Sequence, residues 1–128
     1  MLKNIIFVAI GGALGATLRY LFSLLLQHFY IFGVNLSTTI INIIGSLLLG
    51  ATSIFVLELD LSSRMNLFLS VGIFGAFTTF STFSKESFEL IESQKYSTAL
   101  VYTVVNVIFG ILFYYIGRIS AENILNNH

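Results

Sequence analysis

Four long stretches without a charged residue constrain what this chain can fold into: residues 4–18, 20–57, 65–84 and 96–117. Of the 128 residues, 56% are hydrophobic and only 9% are charged, and the mean hydropathy is +0.92. A water-soluble domain of this size would have too few polar residues to cover its surface. The composition therefore predicts a multi-pass protein of the cell (plasma) membrane.

The lengths of these stretches predict the number of spanning helices. A helix needs about 20 residues to cross a bilayer, so residues 20–57 hold the end of one helix, a turn and a second helix. Short connections would let neighbouring helices pack antiparallel. We predict a single all-α domain over residues 1–128 with four transmembrane helices, near Ile5–Leu26, Ser37–Leu57, Met65–Ser84 and Ser97–Gly117.

The basic residues give almost no preference for one orientation in the membrane. Lys3, Arg64 and Arg118 lie on the side of the termini, and Lys85 and Lys95 lie on the other. Basic loops normally mark the cytoplasmic side. Either the chain inserts in both orientations, which predicts an antiparallel two-fold dimer, or the balance is a chance result in a protein with few charges.

Small and polar residues form stripes on three of the helices. Gly11 and Gly15, with Gly12 and Ala16 beside them, would let another helix approach the first one closely. The stripes on helices 2 and 4 each contain an asparagine, whose side-chain amide either hydrogen-bonds across helices or serves an ion path. The pattern favours packing for Asn106 of helix 4 and function for Asn42 of helix 2. These stripes are Thr38, Asn42, Gly45 and Ser53, and Tyr102, Asn106, Gly110 and Gly117.

The third helix contains Gly72 and Gly75 one turn apart, followed by Thr78 and Thr79. In a chain without proline, glycine is the main means of loosening a helix. A break near Gly75 would free backbone carbonyl oxygens in the membrane, and a hard cation such as an alkali ion could bind them. The alternative is an unbroken helix with glycines for close packing, and spacing alone favours that alternative.

Phenylalanines alternate with hydroxyl residues after this point, in the sequence GAFTTFSTFSKES of residues 75–87. Ring edges carry partial positive charge, and hydroxyl hydrogens can replace water around an anion. The segment suits a path for a small anion, or else the rings face lipid and the hydroxyl groups bond to their own helix. The two faces concerned are Phe80, Phe83, Ser84 and Ser87, and Thr79, Thr82 and Glu86.

The run GIFGAFTTFSTFS closely resembles the signature of the CrcB/Fluc family of fluoride channels, G-x-x-G-x-x-T-T-F-S-T-F-S on the third helix. GGALGATLRY in helix 1 is similar to the Gly-rich segment of that family that ends in Arg. STTIINIIGSLLLG in helix 2 is similar to its G-T-x-x-x-N-x-x-G-S stretch. The resemblance extends over essentially the whole chain and departs at Ser37, where the family usually has glycine.

The resemblance implies an antiparallel dual-topology dimer with two fluoride pores and a central structural sodium ion (Na+) at the dimer interface. The sodium would be held by the backbone carbonyls of Gly75 and Thr78, at the break in helix 3. Phe80 and Phe83 would form an aromatic box beside the ion path, and Asn42 would donate a hydrogen bond to fluoride.

Further pore residues follow from the same resemblance. Arg19 would lie at a vestibule, where its permanent charge raises the local anion concentration. Glu86 is included as a pore residue, although a carboxylate at the mouth of an anion path repels the ion unless it is paired or protonated. The hydroxyl residues that would line the path are Thr79, Ser81, Thr82 and Tyr102.

The predicted function is passive export of fluoride from the cytoplasm, which protects the cell against fluoride toxicity. The expected partners are fluoride, the lipid bilayer, and an antiparallel second copy or a related paralogous chain, with no nucleic acid. The sequence has no ATP-binding motif, nucleophile or acid–base pair, so no enzymatic activity is predicted. The alternative is a small multidrug-resistance-type transporter, a class that relies on a membrane-buried Glu in the first helix, where this chain has none.

Overall fold

A computed structural model describes residues 1–127 of the chain. Within them, four helices are long and apolar enough to cross a membrane. The first two are α1, Leu2–Leu25, and α2, Ser37–Glu58. The third span is segmented, and the last is α6, Tyr96–Asn126. The predicted all-α, multi-pass membrane architecture is confirmed.

The third span is built from several segments. It begins with α3, Ser63–Asn66, continues as a π-helix, Leu67–Phe74, and then as α4, Gly75–Phe77. After an interruption it resumes as α5, Phe80–Glu92. A π-helix is rare and usually short, and it often marks a functional region of a helix.

The interruption lies at Thr78 and Thr79, just beyond the predicted position at Gly75. Gly75 is itself helical, with φ −63° and ψ −34°, whereas Thr78 (ψ 157°) and Thr79 (φ −145°, ψ 114°) are extended. Threonine favours extended backbone because its side chain is branched at Cβ. The Thr79 hydroxyl also caps α5 by accepting a hydrogen bond from the N–H of Thr82 at 3.2 Å. Two threonines, rather than the glycines, therefore separate the two helices.

α1 packs along the first half of the third span, and the two run parallel. Gly11 and Gly15 lie directly against the backbone of the π-helix. A methyl group added to Gly11 would overlap the carbonyl oxygen of Phe68, and one added to Gly15 would overlap that of Ile73. The close helix approach that the GxxxG pattern predicts thus takes place within one chain.

α2 and α6 form the second close pair, and they also run parallel. Gly50 lies against the carbonyl of Tyr114, and Gly117 lies against that of Leu47. α2 and α6 are the second and fourth spans, and they make the most extensive contacts in the bundle. Glycine at each crossing of a parallel pair removes the side chain that would hold the two backbones apart. The parallel helices therefore pack more extensively than the consecutive, antiparallel helices that were predicted to be neighbours.

The interruption lets the third span change its packing partner. Before Thr78 the span follows α1, whereas α5 packs against α6. At that second contact the ring centroids of Phe83 and Tyr102 lie 6.0 Å apart. Residues next to the interruption consequently reach α1, α2 and α6 at once.

Three features go beyond the predicted helices. The third span continues to Glu92, past the predicted end at Ser84, and Lys85 pairs with Glu89 on its exposed surface. α6 continues to Asn126, past the predicted end at Gly117, and Arg118 pairs with Glu122 on its surface. Between α1 and α2 the chain forms an antiparallel hairpin that was not predicted. Its strands are β1, Tyr30–Ile31, and β2, Val34–Asn35.

Candidate functional site

A cavity of about 260 Å³ lies beside the interruption of the third span. Its walls come from α2, from α6 and from the start of α5, so it lies where the helix partners change. Its lining combines amide and hydroxyl groups with two phenylalanine rings. The lining residues are Asn42, Ser46, Leu49, Thr78, Thr79, Phe80, Phe83, Asn106, Val107 and Gly110.

The side chain of Asn42 pairs with the backbone of Thr79. Its Nδ2 donates to the Thr79 carbonyl oxygen at 3.1 Å, and its Oδ1 accepts from the Thr79 N–H at 2.8 Å. In a continuous helix that N–H would bond to the carbonyl of Gly75 instead. Asn42 therefore stabilises the interruption, and its amide keeps a second hydrogen for another acceptor.

The interruption brings a helix C-terminus and a helix N-terminus together. The Gly75 carbonyl loses its helical partner, and the Thr78 carbonyl accepts a hydrogen bond from Arg19 at 3.4 Å. The N-terminus of α5 lies beside the cavity, which Thr79 and Phe80 line. The carbonyl end of a helix attracts cations and the N–H end attracts anions, so the interruption offers both kinds of site.

The two phenylalanines predicted to form a box differ in exposure. Phe83 is 8% exposed, whereas Phe80 is 79% exposed. Their ring centroids lie 5.5 Å apart, with the planes inclined by 59°. Both rings line the cavity, so the structure brings the predicted pair together. The ring of Phe80 is exposed on the surface of the bundle.

Glu86 lies inside the bundle and is hydrogen-bonded by two hydroxyl groups. Its Oε1 accepts from Thr38 at 3.0 Å, and its Oε2 accepts from the Tyr102 hydroxyl at 2.5 Å. Both carboxylate oxygens therefore accept hydrogen bonds from neutral hydroxyl groups. A second cavity, of about 240 Å³, reaches Glu86 and Glu89 from the end of the bundle that carries the hairpin.

Asn106 takes part both in helix packing and in the cavity. Its Nδ2 donates to Thr39 Oγ1 at 2.9 Å and to the Tyr102 carbonyl at 3.0 Å, which ties α6 to α2. The residue also lines the cavity, and its buried Oδ1 has no hydrogen-bond partner within residues 1–127. The sequence places Thr38 and Asn106 in polar stripes, with packing favoured for Asn106, but neither was predicted as a pore residue. Each lies one helical turn from a predicted residue, Asn42 or Tyr102, and this spacing was the available signal.

The remaining predicted residues lie around the cavity rather than in its lining. The Thr79 hydroxyl donates to Thr82 Oγ1 at 2.9 Å and lies 3.3 Å from that of the exposed Ser81. Arg19 is half-buried against the interruption. Within residues 1–127, no three His, Cys, Asp or Glu side chains form a metal-binding group. The Gly75 carbonyl, whose usual helical donor bonds to Asn42 instead, is a hard oxygen atom of the kind that binds alkali cations.

Comparison with known proteins identifies the family. Residues 6–118 match the family model described as CrcB-like protein, Camphor Resistance (CrcB). The fluoride-specific ion channel FluC of Shewanella halifaxensis is 41% identical over 117 residues, which cover 91% of this chain and 94% of that protein. FluC 1 of Methanosarcina acetivorans is 40% identical over 123 residues, with coverages of 94% and 92%. FluC of Thermus thermophilus is 38% identical over 116 residues, with coverages of 91% and 93%. The chain therefore belongs to the CrcB family of membrane proteins.

Proposed function

We propose that the chain forms a fluoride-selective channel through which fluoride leaves the cytoplasm passively. The observation that carries this proposal is the interruption at Thr78 and Thr79. It places an amide hydrogen of Asn42, the N-terminus of α5 and two phenylalanine rings at one cavity. Each of these groups favours a small anion, and relatives about 40% identical carry the name fluoride-specific ion channel.

Selectivity in this proposal comes from donor strength together with size. Fluoride holds its water tightly, so a path must offer strong hydrogen-bond donors before the ion gives up its hydration shell. The Asn42 amide and the N–H groups at the start of α5 are such donors. The rings of Phe80 and Phe83 narrow the same space, which disfavours larger anions.

The hydrogen bonds of Glu86 fit a path that continues toward the hairpin end. The hydroxyl groups of Thr38 and Tyr102 both donate to this carboxylate. An arriving fluoride ion would compete with Glu86 for the same two donors. The second cavity beside Glu86 and Glu89 would give the carboxylate space to move aside and would be the exit of the ion, where Lys85 offsets the charge of Glu89.

A second copy in the opposite orientation would complete the site and give two pores per dimer. The exposed ring of Phe80 provides a surface on which such a copy can pack, inside the part of the chain that spans the membrane. The carbonyls of Gly75 and Thr78 would hold a structural sodium ion at that interface, with the Thr78 oxygen using the lone pair that Arg19 does not engage. The ion would neutralise the negative end of the interrupted helix.

The proposed role of Phe80 is tested by Phe80→Ile against Phe88→Ile. Phe88 is on the same helix and is also exposed, but it does not line the cavity. Each variant is reconstituted into liposomes loaded with fluoride, and release is followed with a fluoride-selective electrode. We expect Phe80→Ile to abolish release and Phe88→Ile to leave it near the wild-type rate. Equal rates in the two variants would remove Phe80 from the path.

A further inference from the structure

The hairpin between α1 and α2 has one side on the protein and one side turned away from it. Residues 29–32, Phe-Tyr-Ile-Phe, are all exposed, and Phe32 is exposed to 94%. On the second strand, Val34 and Asn35 are half-buried and line the cavity next to α5. The apolar side chains of the first strand and the tip are thus exposed rather than packed on the bundle, and the proposed ion path makes no use of them.

The hairpin is firmly attached to the end of α1. Asn35 Nδ2 donates to the carbonyl of Gln27 at 2.8 Å, which fixes the base of the hairpin. At the tip, Phe32 (φ 51°) and Gly33 (φ 76°) both have left-handed backbone, as two-residue hairpin turns require. The left-handed conformation is unfavourable for phenylalanine. Because the Phe32 ring is almost fully exposed, its contacts with the rest of residues 1–127 do little to offset the cost of this backbone conformation.

The position of the hairpin along the bundle indicates what covers it. The 24 residues of α1 rise about 36 Å, slightly more than the roughly 30 Å of a bilayer's hydrocarbon core. The hairpin follows directly after this helix and therefore lies at the boundary between acyl chains and headgroups. Aromatic side chains concentrate at this boundary, because their rings are apolar and tyrosine also has a polar hydroxyl. Tyr96, at the start of α6, is exposed at the same end.

The opposite end of the bundle has a different set of exposed apolar side chains. Near the ends of the helices on that side they are mostly aliphatic, with Tyr115 of α6 as an aromatic exception: Met1, Leu2, Leu57, Leu59 and Met65. Exposed aromatic rings are thus more numerous at the hairpin end. We propose that residues 29–32 form a membrane anchor that inserts the hairpin tip into the headgroup boundary of the bilayer. The proposal does not depend on which ion the protein conducts.

A single tryptophan reporter tests the anchor, because the natural chain contains no tryptophan. The full-length Phe32→Trp variant is reconstituted into phosphatidylcholine vesicles whose acyl chains are brominated near the headgroup or near the terminal methyl. We expect blue-shifted emission, weak quenching by aqueous acrylamide, and a larger loss of emission with shallow bromines than with deep ones. Asn127→Trp, after the end of α6, is the control, with red emission and strong quenching by acrylamide.

Three results would overturn the anchor. One is quenching of Trp at position 32 by acrylamide as strong as in the control, which means contact with water. Another is blue-shifted emission that neither brominated lipid quenches, which means that the ring packs against protein, such as a second copy. The third is stronger quenching by deep bromines than by shallow ones. Tyr30→Trp provides the same measurement on the first strand if Phe32→Trp does not fold.

Discussion

Asn42 serves the backbone and the proposed ion path with one side chain. Its oxygen and one of its amide hydrogens are engaged with Thr79, which leaves a second amide hydrogen beside the cavity. A serine or threonine has a single donor hydrogen and an aspartate has none. None of these three residues could bond the Thr79 carbonyl and also donate a hydrogen bond into the cavity. The need for an amide at this position follows from the extended backbone at Thr79.

Asn42→Asp tests the role of this residue in the ion path. The carboxylate keeps an acceptor for the Thr79 N–H, loses the donor to the Thr79 carbonyl oxygen, and adds a negative charge next to the cavity. A unit charge about 4 Å from an anion costs about 4 kcal/mol at an effective dielectric constant near 20, and each 1.4 kcal/mol or so slows a step about tenfold. We expect fluoride efflux from liposomes to fall at least about a hundredfold. Asn66→Asp, on the exposed surface of α3, is the control with wild-type efflux, and efflux from Asn42→Asp at that same rate would exclude Asn42 from the path.

The sequence identified several side chains that line the cavity but not how they are connected. Asn42, Phe80 and Phe83 were predicted, and all three line the cavity. The pairing of Asn42 with Thr79 could not be predicted, because it requires extended backbone where the pattern alone favoured a continuous helix. The hydrogen bonds to Glu86 were also missed, since they join three helices that are distant in sequence.

Among the elements, the π-helix and α1 depend on each other through glycine. Gly15 has no space for a side chain, because the carbonyl of Ile73 occupies it, whereas an added methyl group at Gly12 meets nothing within 4 Å. Overpacking a tight contact costs about 1–3 kcal/mol. Alanine is otherwise better than glycine in a helix by about 1 kcal/mol. The two glycines, three residues apart on one helix, thus form a matched pair for comparison.

We expect Gly15→Ala to lower the thermal unfolding midpoint of the purified protein in detergent, and Gly12→Ala to leave it unchanged or raise it. Circular dichroism at a helical wavelength measures both midpoints under the same conditions. If the two variants melt together, the close packing of α1 on the third span is not a main source of stability.

The elements were predictable where charge and hydropathy mark a boundary. Starts and ends of α1 and α2 lie within about three residues of the predicted ones. The end of α2 coincides with the charged Glu58, whereas the end of α1 and the start of α2 lie inside an uncharged run and follow from the length of about 20 residues that a span needs. α6 was predicted too short, since the charges after Gly117 suggested a loop although Arg118 and Glu122 form an i,i+4 pair on a continuing helix. The hairpin was missed because its residues are apolar and lie within the uncharged run of residues 20–57.

At the scale of the whole molecule, four helices enclose the polar groups only in part. The parallel pairs leave the ring of Phe80 exposed within a span, beside a cavity that opens at the surface of the bundle. The balanced positive charges give no preference for one orientation. An antiparallel pair of copies remains our prediction, because it would cover this surface in both copies by the same contact.

The most direct measurement is ion release by the purified chain alone. Liposomes containing only this protein are loaded with equal concentrations of fluoride and chloride, and both ions are followed with selective electrodes after addition of a potassium ionophore, which balances the charge. A fluoride channel formed by copies of this chain predicts rapid release of fluoride with chloride retained. Release of both ions at similar rates, or retention of fluoride by vesicles that contain folded protein, would contradict it.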